Sequence, residues 1–476
     1  MLSRVKTQQW LAQFSKHEKK AEEYLNRALD KQTKLAVTGL SRSGKTVFIT
    51  SLVHQLLNSV ESNHLPFFDI VSSRRVQGVK AMHHPDMHIP AFRYDDSISK
   101  LYDNPPTWPQ PTSGISEIRL AIRYKSSNTM LKHVAPVHTL YLDIIDYPGE
   151  WLLDLPLLEL SYEAWSQQIA QLCQQEPRLS LSEEWRRFLN NLDVTAPAKD
   201  ADLRKAAELY TDFLHQCKES QYGLSLLQPG RFTMPGDLKD APLLEFCPLL
   251  NLPTTISSDD SLHMVMKKRY ESYKKHVVQK FYTDYFASFD RQIVLVDTLR
   301  AFNVGYSAFS DMRDALNMIL KSFNYGKTGL FNKFFGLKID KLLFAATKAD
   351  HVTPNQLPNL ERFLQQMLAQ SYNSAVFEGV NIDTLALAAV KCTQAAYTQF
   401  QGQKISCIKG VPLDRAEPVA LFPGEVPIDI PVPEDWREGR FNFIGFKPPR
   451  LSNANATGLP HIRLDRALQF LIGDKF

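Results

Sequence analysis

The sequence predicts an α/β protein on a mostly parallel sheet, enlarged by a helical insertion and followed by a small β-rich C-terminal extension. Three observations predict it. Short apolar runs (LAVTG from Leu35, HTLYLDIID from His138, RQIVLVDTL from Arg291, KLLFAAT from Lys341, TLALAAV from Thr384) are separated by other, largely helical, material, and strands alternating with helices pair in parallel. The first run passes through a glycine loop straight into a helical pattern, VFITSLVHQLL. Between Trp151 and about Asp290 long helical patterns such as SEEWRRFLNNL and KKRYESYKKHVVQKFYTDYFASF take over.

In chain order, residues 1–30 carry Val5, Trp10, Leu11, Phe14, Ala21, Tyr24 and Leu25 at helical intervals, an amphipathic N-terminal helix. Residues 31–150 form the first part of the α/β core. Within them, 59–113 hold many prolines and glycines and no sustained period, which predicts a long loop-rich insert. ISEIRLAIRY (Ile115 to Tyr124) alternates apolar with charged residues, as an edge strand does; His138 to Asp146 is more continuously apolar, as a buried strand is. Residues 151–290 are the helical insertion and 291–402 the second part of the core. Residues 403–476 hold short alternating runs (KISCIKGV, EPVALF, RFNFIGF) and a final helix, RLDRALQFLI.

Bulk properties exclude more than they identify. A chain of 476 residues accommodates two or three folding units. With 55 basic and 51 acidic residues the net charge is +4, too small to argue for nucleic acid. Cys173, Cys217, Cys247, Cys392 and Cys407 lie far apart with no CxxC pair, which suggests neither a zinc ribbon nor a disulfide framework and fits a cytoplasmic protein. The first 25 residues lack the apolar core of a signal peptide, and nothing later reaches about 18 uncharged apolar residues. The expectation is a soluble protein, with peripheral membrane contact left open.

The chemistry is carried by Gly39-Leu-Ser-Arg-Ser-Gly44-Lys45-Thr46, a complete GxxxxGK[ST] phosphate loop between a strand and a helix. Glycines let the backbone curl so that N–H groups from Ser41 through Arg42, Ser43 and Gly44 to Val47 point at phosphate oxygens, aided by the positive end of the helix. Lys45 neutralises the β and γ oxygens and the Thr46 hydroxyl ligates Mg²⁺. A second GKT, Gly326-Lys327-Thr328, lacks the upstream glycine and strand and reads as a turn.

A buried strand then has to end in an acidic residue that holds the magnesium through water. Asp146, in Asp146-Tyr147-Pro148-Gly149, does so, with the Gly149 N–H positioned to sense the γ-phosphate. Asp143, three residues earlier, points to the other face. Thr347-Lys348-Ala349-Asp350 follows the strand KLLFAA: the Asp350 carboxylate can accept the N1–H and 2-amino group of guanine, which adenine does not offer, while the Lys348 stem covers the ring. Farther on, the Ala389-Val390-Lys391 backbone is placed to cap the guanine carbonyl.

The order of phosphate loop, DxxG and TKxD resembles the translation-factor-related GTPases. GLSRSGKT, the DYPGEWLLDLPLL segment from Asp146 to Leu158 and the insertion of about 140 residues before VLVDTLRAFNVG resemble the YcjX-like family, bacterial P-loop proteins described as stress-associated. The resemblance covers essentially the whole chain and implies a GTPase-like core that binds GTP and GDP. Gly39 and Asp146 are much farther apart than in compact GTPases, so the switch I region is enlarged; by position Thr112 is the threonine that completes the Mg²⁺ shell, with Thr107 second. Glu150 stands where many GTPases place a water-orienting glutamine, and a glutamate can orient or deprotonate water yet also brings negative charge to a triphosphate. Arg42 is placed to act as an internal arginine finger or to face solvent.

Three constellations are discounted. His83, His84, Asp86 and His88 are divided by Pro85 and read as loop; Lys267, Lys268, Arg269, Lys274 and Lys275 read as the solvated face of a helix; Asp297 reads as a strand-end cap. The expected function is a Mg²⁺-dependent, slow GTP hydrolase that acts as a switch, with Lys45, Glu150 and Arg42 as catalytic candidates and an effector docking on the helical insertion. The alternatives are an ATP-dependent kinase or ATPase, and a nucleotide-binding interaction protein without turnover.

Overall fold

The computed structural model describes residues 32–476 except 84–87, 113, 127–136, 254–257, 324–338, 378, 401, 438–440 and 452–457. The expected N-terminal helix, the second GKT and residues 84–87 of the histidine loop therefore lie outside the described residues.

Seven strands form one mixed sheet: β1 (Gln32–Gly39), β2 (Val76–Met82), β3 (Ser116–Lys125), β4 (Val137–Asp146), β5 (Arg291–Val296), β6 (Lys341–Ala346) and β7 (Asn381–Ala386), in the order β2-β3-β4-β1-β5-β6-β7. β4, β1, β5, β6 and β7 are mutually parallel, and β3 and β2 add to β4 antiparallel. This is the α/β architecture of P-loop GTPase-like proteins. Every residue of β5 is buried, as continuous apolar runs require when a sheet is covered on both faces.

Helices α1 (Lys45–Leu57), α2 (Tyr94–Tyr102), α3 (Asp200–Lys218), α4 (Leu262–Tyr273), α5 (Thr298–Val304), α6 (Tyr306–Ser322), α7 (Leu357–Phe377) and α8 (Leu464–Ile472) cover it. On one face Phe48, Leu52 and Leu56 of α1 and Leu464, Leu468 and Leu471 of α8 pack on Leu35, Val37, Ile293 and Leu295. On the other, the insertion shares a single core with the sheet: Trp165, Trp185, Tyr210, Phe246 and Tyr270 join Ala36, Ile145, Val294 and Phe344. Among the described residues no helix is long and apolar enough to cross a membrane.

Several expectations need correction. ISEIRLAIRY is not an edge: β3 lies between β2 and β4, and the edge strand β2 comes from the region read as loop, which also holds α2. Of the charged residues of β3 that suggested solvent, Arg119 is half-buried and pairs with the fully buried Asp143 at 2.5 Å, whereas Arg123 and Lys125 are exposed. The last core strand spans Asn381–Ala386, and Leu387 onward leaves the sheet. The β-rich extension begins earlier than residue 403, with β8 (Gln394–Phe400) pairing antiparallel to β9 (Gln403–Gly410), and β10 (Val419–Leu421) closing a three-stranded sheet. RFNFIGF forms no ladder in its described part, only the bridge from Phe446 to Pro412.

Gly149–Glu159 joins sheet to insertion as a 3-10 run, and Gly149 to Leu157 are all buried. Asp154 anchors it, accepting from the Tyr273 hydroxyl at 2.5 Å and from the Gly230 N–H at 2.7 Å. Burial raises the Asp154 carboxyl to about 6, only partly offset by these bonds. Its folded-state pKa thus exceeds the unfolded value, so the native state binds the proton more tightly and stability falls as pH rises from about 4 to about 6. The wild type is expected to lose stability relative to Asp154→Asn across that window, by up to about 1.4 kcal/mol per pH unit, and to stay level above it. Urea denaturation of both proteins at several pH values checks this.

Candidate nucleotide site

The carboxyl ends of β1, β4, β6 and β7 deliver the three sequence motifs to one edge of the sheet. β1 runs into the phosphate loop, where Arg42 (φ 63) and Gly44 (φ 87) adopt left-handed conformations and the Ser43 N–H bonds the Leu40 carbonyl at 3.1 Å. α1 begins at Lys45 with no side-chain cap and no acidic residue in its first turn. Its leading N–H groups are therefore suited to an external anion. Ser41, Lys45 and Val47 are half-buried, Ser43 and Thr46 buried, and the Ser43 hydroxyl has no partner among the described residues.

The DxxG backbone lies directly on this loop. A Cβ built on Gly149 would stand 2.4 Å from the Gly39 carbonyl oxygen, so this close approach requires glycine. Asp146, at the end of β4, accepts a short hydrogen bond from the Thr112 hydroxyl through Oδ2, while its buried Oδ1 has no partner among the described residues. Burial raises the Asp146 pKa, and Lys45 and Thr112 only partly offset it. A buried carboxylate oxygen without a donor, on a carboxylate that holds the Thr112 hydroxyl and feels the charge of Lys45, suits a hydrated divalent cation. Thr46 and Thr112 both line a cavity of about 790 Å³ that Trp151, Arg231 and Lys280 of the insertion bound on the far side. Thr107, by contrast, is exposed, with its N–H bonded to the Lys100 carbonyl.

Two candidate catalytic side chains turn toward the insertion. Glu150 is buried and ion-paired with Lys218 at the end of α3, at 2.6 Å. Burial pushes its pKa up, but Lys218 and Lys45 outweigh burial and hold it below the ordinary carboxylate value. Arg42 is exposed and donates a short hydrogen bond to the Ser220 hydroxyl, two residues past Lys218. As found, then, Arg42 contacts the insertion through Ser220.

At the base end, Asp350 is buried and Thr347 donates to the Val296 carbonyl at 3.3 Å. Lys348 (φ 58) makes a short ion pair with Asp297, whose other oxygen caps α5 by accepting from the Arg300 N–H. Asp350 Oδ2 accepts the Cys392 N–H at 2.7 Å. Of the Ala389-Val390-Lys391 backbone, the Lys391 N–H is already given to the Pro460 carbonyl and the Ala389 carbonyl accepts from Ser51. Both of those groups are thus engaged within the protein. Val390 packs with Leu101, Leu459 and Val47, which ties the base loop to α1.

The basic cluster is engaged in pairs, Lys267 with Glu163 at 2.8 Å and Arg269 with Glu245 at 2.9 Å. Sequence reasoning missed Lys218, Ser220, Ser51 and Pro460. None sits in a motif: Lys218, Ser220 and Pro460 come from segments remote from all three motifs, and Ser51, in the helix after the phosphate loop, reads only as part of its helical pattern.

With this geometry established, the comparisons decide the kinship. The profile of the YcjX-like family, DUF463, matches residues 33–476. The chain belongs to the YcjX-like family. A protein of Escherichia coli (strain K12) named "Ras-like GTPase YcjX" is 46% identical over 457 residues, covering 95% of this chain and 97% of that one. One of the same name from Shewanella oneidensis (strain MR-1) is 43% identical over 475 residues, covering 96% and 97%. The match to the YcjX-like family runs through the phosphate loop, the DYPGEW segment and the long insertion alike.

The Glu150–Lys218 pair generates a direct test. Lys218→Met leaves a buried carboxylate uncompensated and is expected to cost about 3 kcal/mol, whereas Lys218→Met with Glu150→Gln recovers most of the loss. Denaturation midpoints of the single and double variants read the difference; equal losses in both would show that the pair contributes nothing.

Proposed function

We propose that this protein is a Mg²⁺-dependent GTP-binding protein and slow GTP hydrolase that works as a nucleotide-controlled switch; its relatives are named Ras-like GTPases. The observation that carries the reading is the meeting of Gly149, Thr112 and Asp146 beside the phosphate loop: groups from two separate segments converge where a γ-phosphate would lie. Lys45 and the amides from Ser41 to Val47 neutralise and orient the triphosphate. Thr46, Thr112 and, through water, Asp146 would hold Mg²⁺, which supplies charge neutralisation of the β and γ oxygens. Hydrolysis is in-line attack of water on the γ-phosphorus with release of GDP and phosphate, and positioning supplies most of the acceleration.

Slow turnover is supported by Glu150. Its ion pair with Lys218 keeps the carboxylate charged and directed away from a proton-accepting role. Faster turnover then requires the pair to open, which an effector bound to the insertion is placed to cause. Loss of the γ-phosphate frees Gly149 and Thr112, and the insertion senses it through Lys218 and Ser220. Guanine selectivity is assigned to Asp350, with Lys348 and the Val390 N–H beside it. A stress-associated role in the cytoplasm follows from the family resemblance and the absence of disulfides among the five cysteines.

Titration of the full chain with fluorescent GDP and ADP in Mg²⁺ tests the reading. GDP is expected to bind at least about 100-fold more tightly than ADP, and Asp350→Ala to erase that preference, since two hydrogen bonds to a charged acceptor disappear. Equal binding of both nucleotides, unaffected by the substitution, would overturn the guanine assignment and leave a P-loop protein of different base.

A further inference from the structure

The turns after β6 and β7 bring together three ligand-type side chains that the proposed hydrolysis does not use as a set. Asp350, His351 and Cys392 each direct a donor atom to a common point, and all these atoms lie within 4.8 Å of one another. Cys392 Sγ is 3.0 Å from Asp350 Oδ2 and 3.6 Å from His351 Nε2, and His351 Nε2 is 4.0 Å from Asp350 Oδ1. Asp350 and His351 are buried and Cys392 is half-buried. Phe446 packs edge-on against the His351 ring at 5.1 Å, and the Cys392 N–H fixes the carboxylate.

A zinc-type ion bound at about 2.3 Å to sulfur and about 2.0 to 2.1 Å to nitrogen and oxygen, at tetrahedral angles, sets its ligands about 3.3 to 3.6 Å apart. The two separations from sulfur, 3.0 and 3.6 Å, lie at or near that range, and the imidazole lies 4.0 Å from the other carboxylate oxygen, so a small rotation of the carboxylate would complete the set. Without a metal the same contacts serve as hydrogen bonds, the thiol donating to Asp350 and the sulfur able to accept from His351 Nε2–H. One sulfur, one nitrogen and one oxygen donor select a borderline-soft cation over Mg²⁺ or Ca²⁺, which take oxygen ligands.

We propose that Asp350, His351 and Cys392 form a binding site for a divalent cation of the zinc class, and that its occupancy excludes the nucleotide base. Binding deprotonates the thiol and releases one proton to solvent, with no change of oxidation state. Exclusion rests on the reading of Asp350 as the guanine acceptor: a carboxylate that ligates the metal no longer accepts from guanine. The site thereby makes nucleotide loading sensitive to free zinc-class metal.

Cobalt(II) is the probe, added to the nucleotide-free full chain in excess Mg²⁺. A thiolate-to-cobalt charge-transfer band with tetrahedral d–d bands is expected at one equivalent. Cys392→Ser should remove the charge-transfer band, and His351→Gln should weaken cobalt binding by about 10- to 100-fold. GDP binding is then measured with and without cobalt within each protein, so that any change in basal affinity divides out; a loss of at least about 10-fold is expected in the wild type and none in Cys392→Ser. Absence of the band in the wild type, or its persistence in Cys392→Ser, overturns the site. Cobalt bound through Cys392 with unchanged GDP affinity overturns the exclusion. Equal binding of GDP and ADP in metal-free protein would instead overturn the guanine reading while leaving the cobalt spectrum intact.

Discussion

Everything at the nucleotide end depends on the contact of one backbone against another, the DxxG turn lying on the phosphate loop. Gly149 meets the Gly39 carbonyl at a distance no Cβ tolerates, and on the far side a Cβ on Gly230 would stand 2.1 Å from the Glu150 carbonyl oxygen. Phosphate loop, DxxG turn and insertion are therefore stacked backbone on backbone, with no side chain between them to absorb movement. Packed interiors transmit displacement rather than dissipate it. A shift of a few tenths of an ångström at Gly149 has to appear at Gly39, at Gly230 or at both.

That stacking limits what the insertion can do. It does not hang from the core by a linker: Trp165 and Tyr270 stack at 5.0 Å within the same apolar cluster that holds Ala36 and Ile145 of the sheet. Swinging it away would expose a large shared core, at a cost far beyond what one phosphate contact returns. The conformational change compatible with the structure is small and local, at the end of α3, where Lys218 and Ser220 hold Glu150 and Arg42. Both links are polar, but only the Arg42–Ser220 bond is exposed and free to exchange partners; buried Glu150 can release Lys218 only if another cation or donor replaces it.

The sheet and the phosphate loop were legible because each rests on a local rule. Continuous apolar runs mark buried parallel strands, and the glycine spacing fixes a loop between strand and helix. Thr112, singled out by its position just before β3, has its hydroxyl on Asp146. What stayed hidden was set by long-range pairing. β3 looked like an edge because its charges were read as solvated, when Arg119 is in fact spent on Asp143 across the ladder. Lys218 reaches Glu150, and Pro460 takes the Lys391 N–H, over separations that no periodicity encodes. Arg42 illustrates a different limit: the sequence places it in the loop, but its partner, Ser220, lies 178 residues away.

The buried carboxylates themselves separate architecture from chemistry. Asp143 takes both Arg119 nitrogens and the Gln32 amide. Asp311 takes Arg178 and two backbone N–H groups, and Asp154 a tyrosine hydroxyl and a glycine N–H. Each has partners on both oxygens, as a buried acid in a structural role must. Asp146, on the same strand as Asp143 and three residues on, has Thr112 on one oxygen and no described donor on the other. Leaving a buried carboxylate oxygen without a donor costs about 1 to 3 kcal/mol or more. Glu117 on the neighbouring strand also has one oxygen, Oε1, without a donor among the described residues, so an unmet valence alone does not single out Asp146; what sets Asp146 apart is its place at the end of β4, with the Thr112 hydroxyl on its other oxygen and the charge of Lys45 near it.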